Sequence, residues 1–210
     1  MPARHNGPVS SNVRRRKMPL PPEHSFVNYY HQEQYLFEVV GPRFHKARVL
    51  SAFDFFCIVI WKANRVKSRI AKRLLKIQPK SIEDAVQELT SQIADASCAE
   101  SRLAVLIEGW GFRIPMASAI LTVLYPQEFT IYDVRVCDSL KDFTYLANTT
   151  EPSRRWAQYG AYCQAVDDAV KNQLSLRDKD RWLWGKSFFN QLQRDISSGF
   201  NIELQQNSDA

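Results

Sequence analysis

The residues of this chain that could do chemistry together are a two-glycine turn, Gly109-Trp110-Gly111, and a carboxylate, Asp133, which follows the first glycine by 24 positions. Glycines so placed let the backbone take positive φ and come close to whatever lies beyond it. Pro115, just after the turn, suits the first turn of a helix, where its missing N–H is not needed. The turn amides and that helix N-terminus together have the makings of a site for an anion such as phosphate. Asp133 opens the stretch Tyr132 to Leu140, read as a helix whose dipole favours the ionised carboxylate. Thr130-x-x-Asp133 is also a capping box, in which Asp133 only holds a helix end. Both uses are open at this level.

The elements around these residues read as helices. Leu103, Leu106 and Ile107 sit at i, i+3 and i+4, and Met116, Ala119, Ile120, Val123 and Leu124 repeat the spacing after the turn, giving a helix, a hairpin and a helix over about 101–125. Upstream, an aromatic-rich helix from Phe26 to Val40 is expected to stop at Gly41-Pro42. Lys46 to Lys76 reads as one or two long helices with a core-facing stripe of Phe53, Phe56, Cys57 and Ile60. Lys62, Arg65, Lys67, Arg69, Lys72, Arg73 and Lys76 then follow without an acid. Such a run is a solvated face or, beside a phosphate-shaped hairpin, a DNA-facing one. Ser81 and Asp84 open a helix to about Ile93. Ser97 to Glu108 leads into the hairpin. Glu151-Pro152 opens a helix carrying Trp156, Tyr159, Tyr162 and Val166, and an amphipathic helix with Trp182, Trp184, Phe188 and Phe189 spans Arg177 to Arg194. A strand is suggested only near Phe129 to Tyr132. The fold class is all-α.

Gly109-x-Gly111, the small-residue helix with Ala117, Ser118 and Ala119, and then Asp133 resemble, in that order, the helix-hairpin-helix DNA glycosylase superfamily, the group of endonuclease III and 8-oxoguanine glycosylase. The likeness is specific over 103–140 and extends by helix order from about Tyr30 to Ile196. It implies a two-lobed all-α fold that binds duplex DNA through the hairpin backbone and flips a nucleotide. Breaking an N-glycosidic bond builds positive charge on the sugar, so a fixed anion near C1′ and a route for water are needed. The resemblance gives that part to Asp133. Gly109, Gly111, Phe112, Arg113, Lys62, Asn64 and Arg65 are the expected DNA contacts. Asn64 stands where the superfamily fills the gap left by a flipped base, and it could equally cap a helix. Trp61 and Tyr132 are the expected walls of the base pocket, with Trp110, Trp182 and Trp184 also available. Members that also cut the strand carry a lysine near the start of the second hairpin helix. Here that place reads Phe112-Arg113-Ile114-Pro115, and arginine forms no imine. A monofunctional glycosylase leaving an abasic site is therefore expected, and nothing in the sequence argues for Lys62 or Lys186 as a substitute. Repair of damage and removal of a modified base from foreign DNA are both open. The rivals are a non-catalytic helix-hairpin-helix DNA-binding module and a helical protein–protein adaptor.

Composition bounds the rest. A chain of 210 residues can build one good core or two small helical lobes. The organisation expected is a basic arm over 1–24 with Arg14 to Lys17, a helical domain over 25–197 and a polar tail over 198–210. A net charge of +6 and a pI near 9.2 fit a polyanion partner without requiring one. Cys57, Cys98, Cys137 and Cys163 stand singly and read as reduced, buried thiols. They lack the closely spaced C-terminal set that holds an iron–sulfur cluster in some glycosylases of this superfamily, so none is expected. A monovalent cation at the hairpin is implied by resemblance only. His24, His31 and His45 have no companions at metal spacing, and no metal site is expected. Phe53 to Trp61 is too short to span a bilayer, and no secretory signal precedes it. The expectation is a cytoplasmic monomer, nucleoid-associated if bacterial, with duplex DNA as partner and no membrane.

Overall fold

The computed structural model describes residues 26–171 and 173–201. The basic arm, His24 and the tail beyond Asn201 lie outside the described residues. Within them the chain is all-α and forms no strand.

The N-terminal helices are α1 (Phe26–Tyr30), α2 (Gln32–Tyr35), a π-helical turn (Leu36–Val40) and α3 (Gly41–Ala47). The expected stop at Gly41-Pro42 does not occur: the backbone stays right-handed helical through Val40 and Gly41. Proline is tolerated there because it enters α3 in its first turn. Gly41 serves close packing, since a Cβ on it would lie 2.8 Å from the Val123 carbonyl oxygen. Arg48, left-handed at φ 60°, ends the run.

Helix α4 (Ala52–Ala63) is capped by Ser51, whose Oγ accepts the Asp54 N–H at 3.1 Å. Its core-facing stripe is Phe55, Ile58 and Val59, whereas Phe53 is exposed and Phe56, Cys57 and Ile60 are half-buried. The helix is apolar nearly all round, so periodicity alone could not choose its face. Buried Asp54 helps to choose it, accepting Tyr35 Oη at 2.7 Å and Arg43 Nη1 at 2.6 Å. After a 3-10 turn (Asn64–Val66), α5 (Lys67–Ile77) buries only Ile70 and Leu74. Helix α6 (Ile82–Asp95) opens as expected, with Ser81 Oγ accepting the Asp84 N–H at 3.0 Å.

Helix α7 (Ala99–Ala104) and a π-helical turn (Val105–Gly109) lead to the hairpin, and α8 (Ile114–Leu124) follows with Pro115 in its first turn. Nearly all of α8 is buried against α3, α4 and α7, making it the centre of the core. Burial of each of its larger aliphatic side chains contributes about 1.5–3 kcal/mol. The second half consists of α9 (Val134–Leu140), α10 (Pro152–Ala169), started by Glu151, and α11 (Leu176–Ser197), started by Ser175. Helices α9 and α10 pack on α11. The α11 aromatics face outward: Trp182, Trp184, Phe188 and Phe189 are exposed, while Lys179, Asp180 and Leu183 are buried.

The cysteines are free. Cys137 is buried and Cys57 and Cys163 are half-buried, but Cys98 is exposed where α7 begins, contrary to the expectation of four buried thiols. Burial pushes the Cys57, Cys137 and Cys163 thiols up to about 11, whereas a hydrogen bond with Ser101 lowers that of Cys98.

Candidate active site

Asp133 reaches its place through a short irregular segment fastened on two sides. From α10, Tyr159 Oη donates to the Thr130 carbonyl at 2.6 Å and Tyr162 Oη to the Ile131 carbonyl at 2.7 Å. From α8, Ser118 Oγ accepts the Tyr132 N–H at 2.9 Å. Both tyrosines are buried, so these bonds are shielded from water. What looked like a strand in the sequence is therefore a segment whose polar backbone is satisfied by side chains.

Successive residues of that segment part company. Ile131 and Asp133 line a cavity of about 580 Å³. Tyr132 turns into the core, its ring 5.3 Å from that of Tyr162 and its hydroxyl donating to the Phe143 and Thr144 carbonyls at 2.9 and 3.2 Å. The expected role of Tyr132 as a pocket wall is thus corrected: neighbours in non-helical chain point to opposite sides, and the inward side took the aromatic ring.

Opposite Asp133, the C-terminal end of α4 supplies Trp61 and Lys62 to the same cavity. Lys62 Nζ donates to Asp133 Oδ2 at 2.6 Å across 71 positions of sequence. Both side chains are largely shielded, 15% and 24% exposed. Asp133 Oδ1 accepts the Arg135 N–H at 3.1 Å, so Asp133 is itself the N-cap of α9 rather than the last residue of a box begun by Thr130. One oxygen caps the helix and the other faces the cation. Lys62, expected among the DNA contacts, lies inside the cavity.

Helix α11 completes the wall with Arg177, Asp180, Arg181 and Trp184, and α2 adds Glu33. None of these was singled out from the sequence except Trp184. The signal was present, because the four α11 residues stand at i, i+3, i+4 and i+7, a single stripe of one helix face. Burial pushes the Asp180 carboxyl up to about 6, against the opposing pull of Arg177, which donates to it, and of Lys62, with Asp133 adding to the rise. Burial also works to raise Glu33, but Arg177 and Arg181 outweigh it and hold that carboxyl below the usual range. The cavity therefore holds one carboxylate fixed by an ammonium and a backbone amide, a second whose carboxyl burial pushes up to about 6, and aromatic surface from Trp61 and Trp184. Carboxyls in such different environments are the raw material for dividing charge stabilisation and proton transfer.

The hairpin lies at the far end of a basic edge. From Gly109 to Ile114 exposure alternates, with Gly109, Gly111 and Arg113 outward and Trp110, Phe112 and Ile114 inward. Trp110 donates from Nε1 to Gln92 Oε1 at 2.8 Å, and the Phe112 ring lies 6.3 Å from that of Phe55. Phe112, expected at the DNA face, is a core residue. Only Gly111 of the two glycines uses positive φ, at 66°. The Trp110 and Phe112 amides close back on the Val105 and Leu106 carbonyls, whereas those of Gly111 and Arg113 have no partner among the described residues. Arg73 of α5 packs against Gly111. Asn64 and Arg65 are exposed on the turn where α4 passes into α5. Asn64 accepts Lys67 Nζ at 2.9 Å and caps no helix with its side chain. Arg65, Lys67, Arg69, Lys72 and Arg73 thus run from the cavity's α4 wall to the hairpin, and among the described residues none is in an ion pair with an acid.

No group of three or more metal-ligating side chains occurs among the described residues, and none of their helices is long and apolar enough to cross a membrane. A scan against family models and searches of curated proteins and of solved structures found no match to this chain.

Proposed function

We propose that this chain is a DNA glycosylase of the two-lobed helix-hairpin-helix kind, which flips a damaged or modified base out of duplex DNA and hydrolyses its N-glycosidic bond, leaving an abasic site. The observation that carries the reading is the meeting of Asp133, Lys62 and Trp61 in one cavity, joined by the basic edge of α5 to a glycine hairpin. Trp61 offers a stacking face to the extruded base. Asp133 stabilises the positive charge that develops at C1′ and orients the attacking water, while the Arg135 amide and Lys62 fix the orientation of the carboxylate by binding one oxygen each. The free amides of Gly111 and Arg113, with the Arg113 side chain, receive backbone phosphates. A monovalent cation at the turn, implied by the resemblance, would be held by backbone carbonyls of the hairpin. Strand cleavage through a hairpin lysine is not expected, because the hairpin carries Arg113 at that place and arginine forms no imine.

The test is a mass-spectrometric screen for free base released from duplexes carrying damaged, mismatched and hypermodified bases, with wild type beside Asp133→Asn. Release by wild type and a loss of about a thousandfold in the variant are expected, with DNA binding retained. Borohydride should trap no covalent adduct. A non-catalytic DNA-binding module is the second reading, favoured by the Asp133 cap on α9. It predicts no release from either protein, together with tight, salt-sensitive binding.

A further inference from the structure

Around Glu33 the hydrogen-bond arithmetic does not balance. Arg177 Nε and Nη2 and Arg181 Nε and Nη2 all converge on one atom, Glu33 Oε1, with Arg177 Nε and Arg181 Nε each at 3.1 Å and Arg181 Nη2 at 3.0 Å. A single carboxylate oxygen offers two lone pairs. Oε2 has no partner among the described residues. Three hydrogen bonds, with Arg181 Nη2 in ion-pair contact beside them, therefore crowd an acceptor suited to two.

The arginines are held independently of Glu33. Arg177 Nη1 is bound by Asp180, and Arg181 Nη1 donates to Asp178 Oδ1 at 2.5 Å, both partners lying on α11 itself. The Arg177 guanidinium also lies 5.4 Å from the Trp61 ring and 5.6 Å from the Phe37 ring. Each arginine thus has one arm clamped and presents its Nε–Nη2 edge, the edge that recognises an oxyanion bidentately, to the same point on the cavity wall. Glu33 comes from a different element, the four-residue helix α2.

We propose that Arg177 and Arg181 form a binding site for a phosphate group, and that Glu33 occupies it in the free protein as a stand-in. A phosphate brings the additional acceptor oxygens that the two guanidinium edges require, and it displaces Glu33 without disturbing the α11 clamps. The site rests on the nucleotide reading of the cavity only for the source of the phosphate, which is a phosphodiester of bound DNA or a free phosphate monoester.

The experiment uses the full chain as wild type, Glu33→Gln, Glu33→Gln with Arg181→Gln, and Glu38→Gln, an exposed position that makes the same charge change elsewhere. The probes are inorganic phosphate by calorimetry, a labelled duplex with a central abasic analogue by anisotropy, and that duplex with one neutral methylphosphonate beside the analogue. Glu33→Gln should tighten binding of phosphate or of the duplex by about tenfold beyond Glu38→Gln, and the added Arg181→Gln should remove the gain. A gain on inorganic phosphate alone supports the site and names a monoester. A duplex gain abolished by the methylphosphonate supports it and names a phosphodiester. No gain on either probe, with the variants folded by circular dichroism, overturns it, as does a gain that survives Arg181→Gln. Base release is not read here, so failure of the phosphate site and failure of the glycosylase reading remain separate results.

Discussion

Asp133 carries two loads that point to different experiments. As N-cap of α9 it contributes about 1 kcal/mol to stability, which asparagine largely preserves. As the anion facing Lys62 it is replaced by a neutral amide in Asp133→Asn. The variant should melt within a few degrees of wild type while losing base release, and a variant that unfolds would show that the Lys62 ion pair, rather than the cap, is needed for the fold. Asp180 makes a separate, pH-dependent prediction. Its folded-state carboxyl is pushed up to about 6 from 3.8, so the native state binds a proton that the unfolded chain has released. That contribution to stability is greatest below about pH 4, falls as pH rises toward 6, and is level above. Its size is on the order of 3 kcal/mol. Asp180→Asn should gain stability relative to wild type between pH 4 and 7, read from urea midpoints. A constant difference across that range would show that Arg177 keeps Asp180 ionised throughout.

At the scale of elements, the hairpin glycines separate conformation from approach. Gly111 has positive φ, and a Cβ added to it would lie 3.1 Å from Arg73 Nη1, so Gly111→Ala should cost about 1–2 kcal/mol. Gly109 is helical, with nothing within 4 Å of an added Cβ. Gly109→Ala should therefore stay within about 0.5 kcal/mol of wild type and still weaken duplex binding, because the methyl group stands between the turn and a phosphate. Unchanged duplex affinity in a folded Gly109→Ala protein would remove the hairpin from the interface. Gly41→Ala, aimed at the Val123 carbonyl, should cost about 1–3 kcal/mol through the α3–α8 contact.

For the whole molecule, the relevant quantity is where the charge of +6 sits. The acids of the cavity are matched by Lys62, Arg177 and Arg181, whereas the basic side chains of α5 have no acidic partners among the described residues. Duplex binding should therefore weaken steeply with salt, and replacing Arg69 and Lys72 by glutamine should lower the slope of log K against log salt by about 2. A helical adaptor for another protein would show no such slope.

Short-range features were legible in the order of residues. Ser81, Glu151 and Pro115 mark helix starts because caps and first turns are local chemistry, and Gly109-Trp110-Gly111 marks the hairpin because positive φ at Gly111 is a property of one residue. Asp133 and Trp61, candidates from the sequence, both line the cavity. Which faces turned inward was settled by packing. The all-round apolar α4 did not reveal its buried side, Gly41 looked like a stop until α8 lay against it, and Tyr132 and Phe112 turned into the core. Above all, Lys62 met Asp133 across 71 positions and Glu33 met Arg177 across 144. Pairings at such separations leave no periodic trace, since they depend on how helices pack and not on the order in which the chain supplies them.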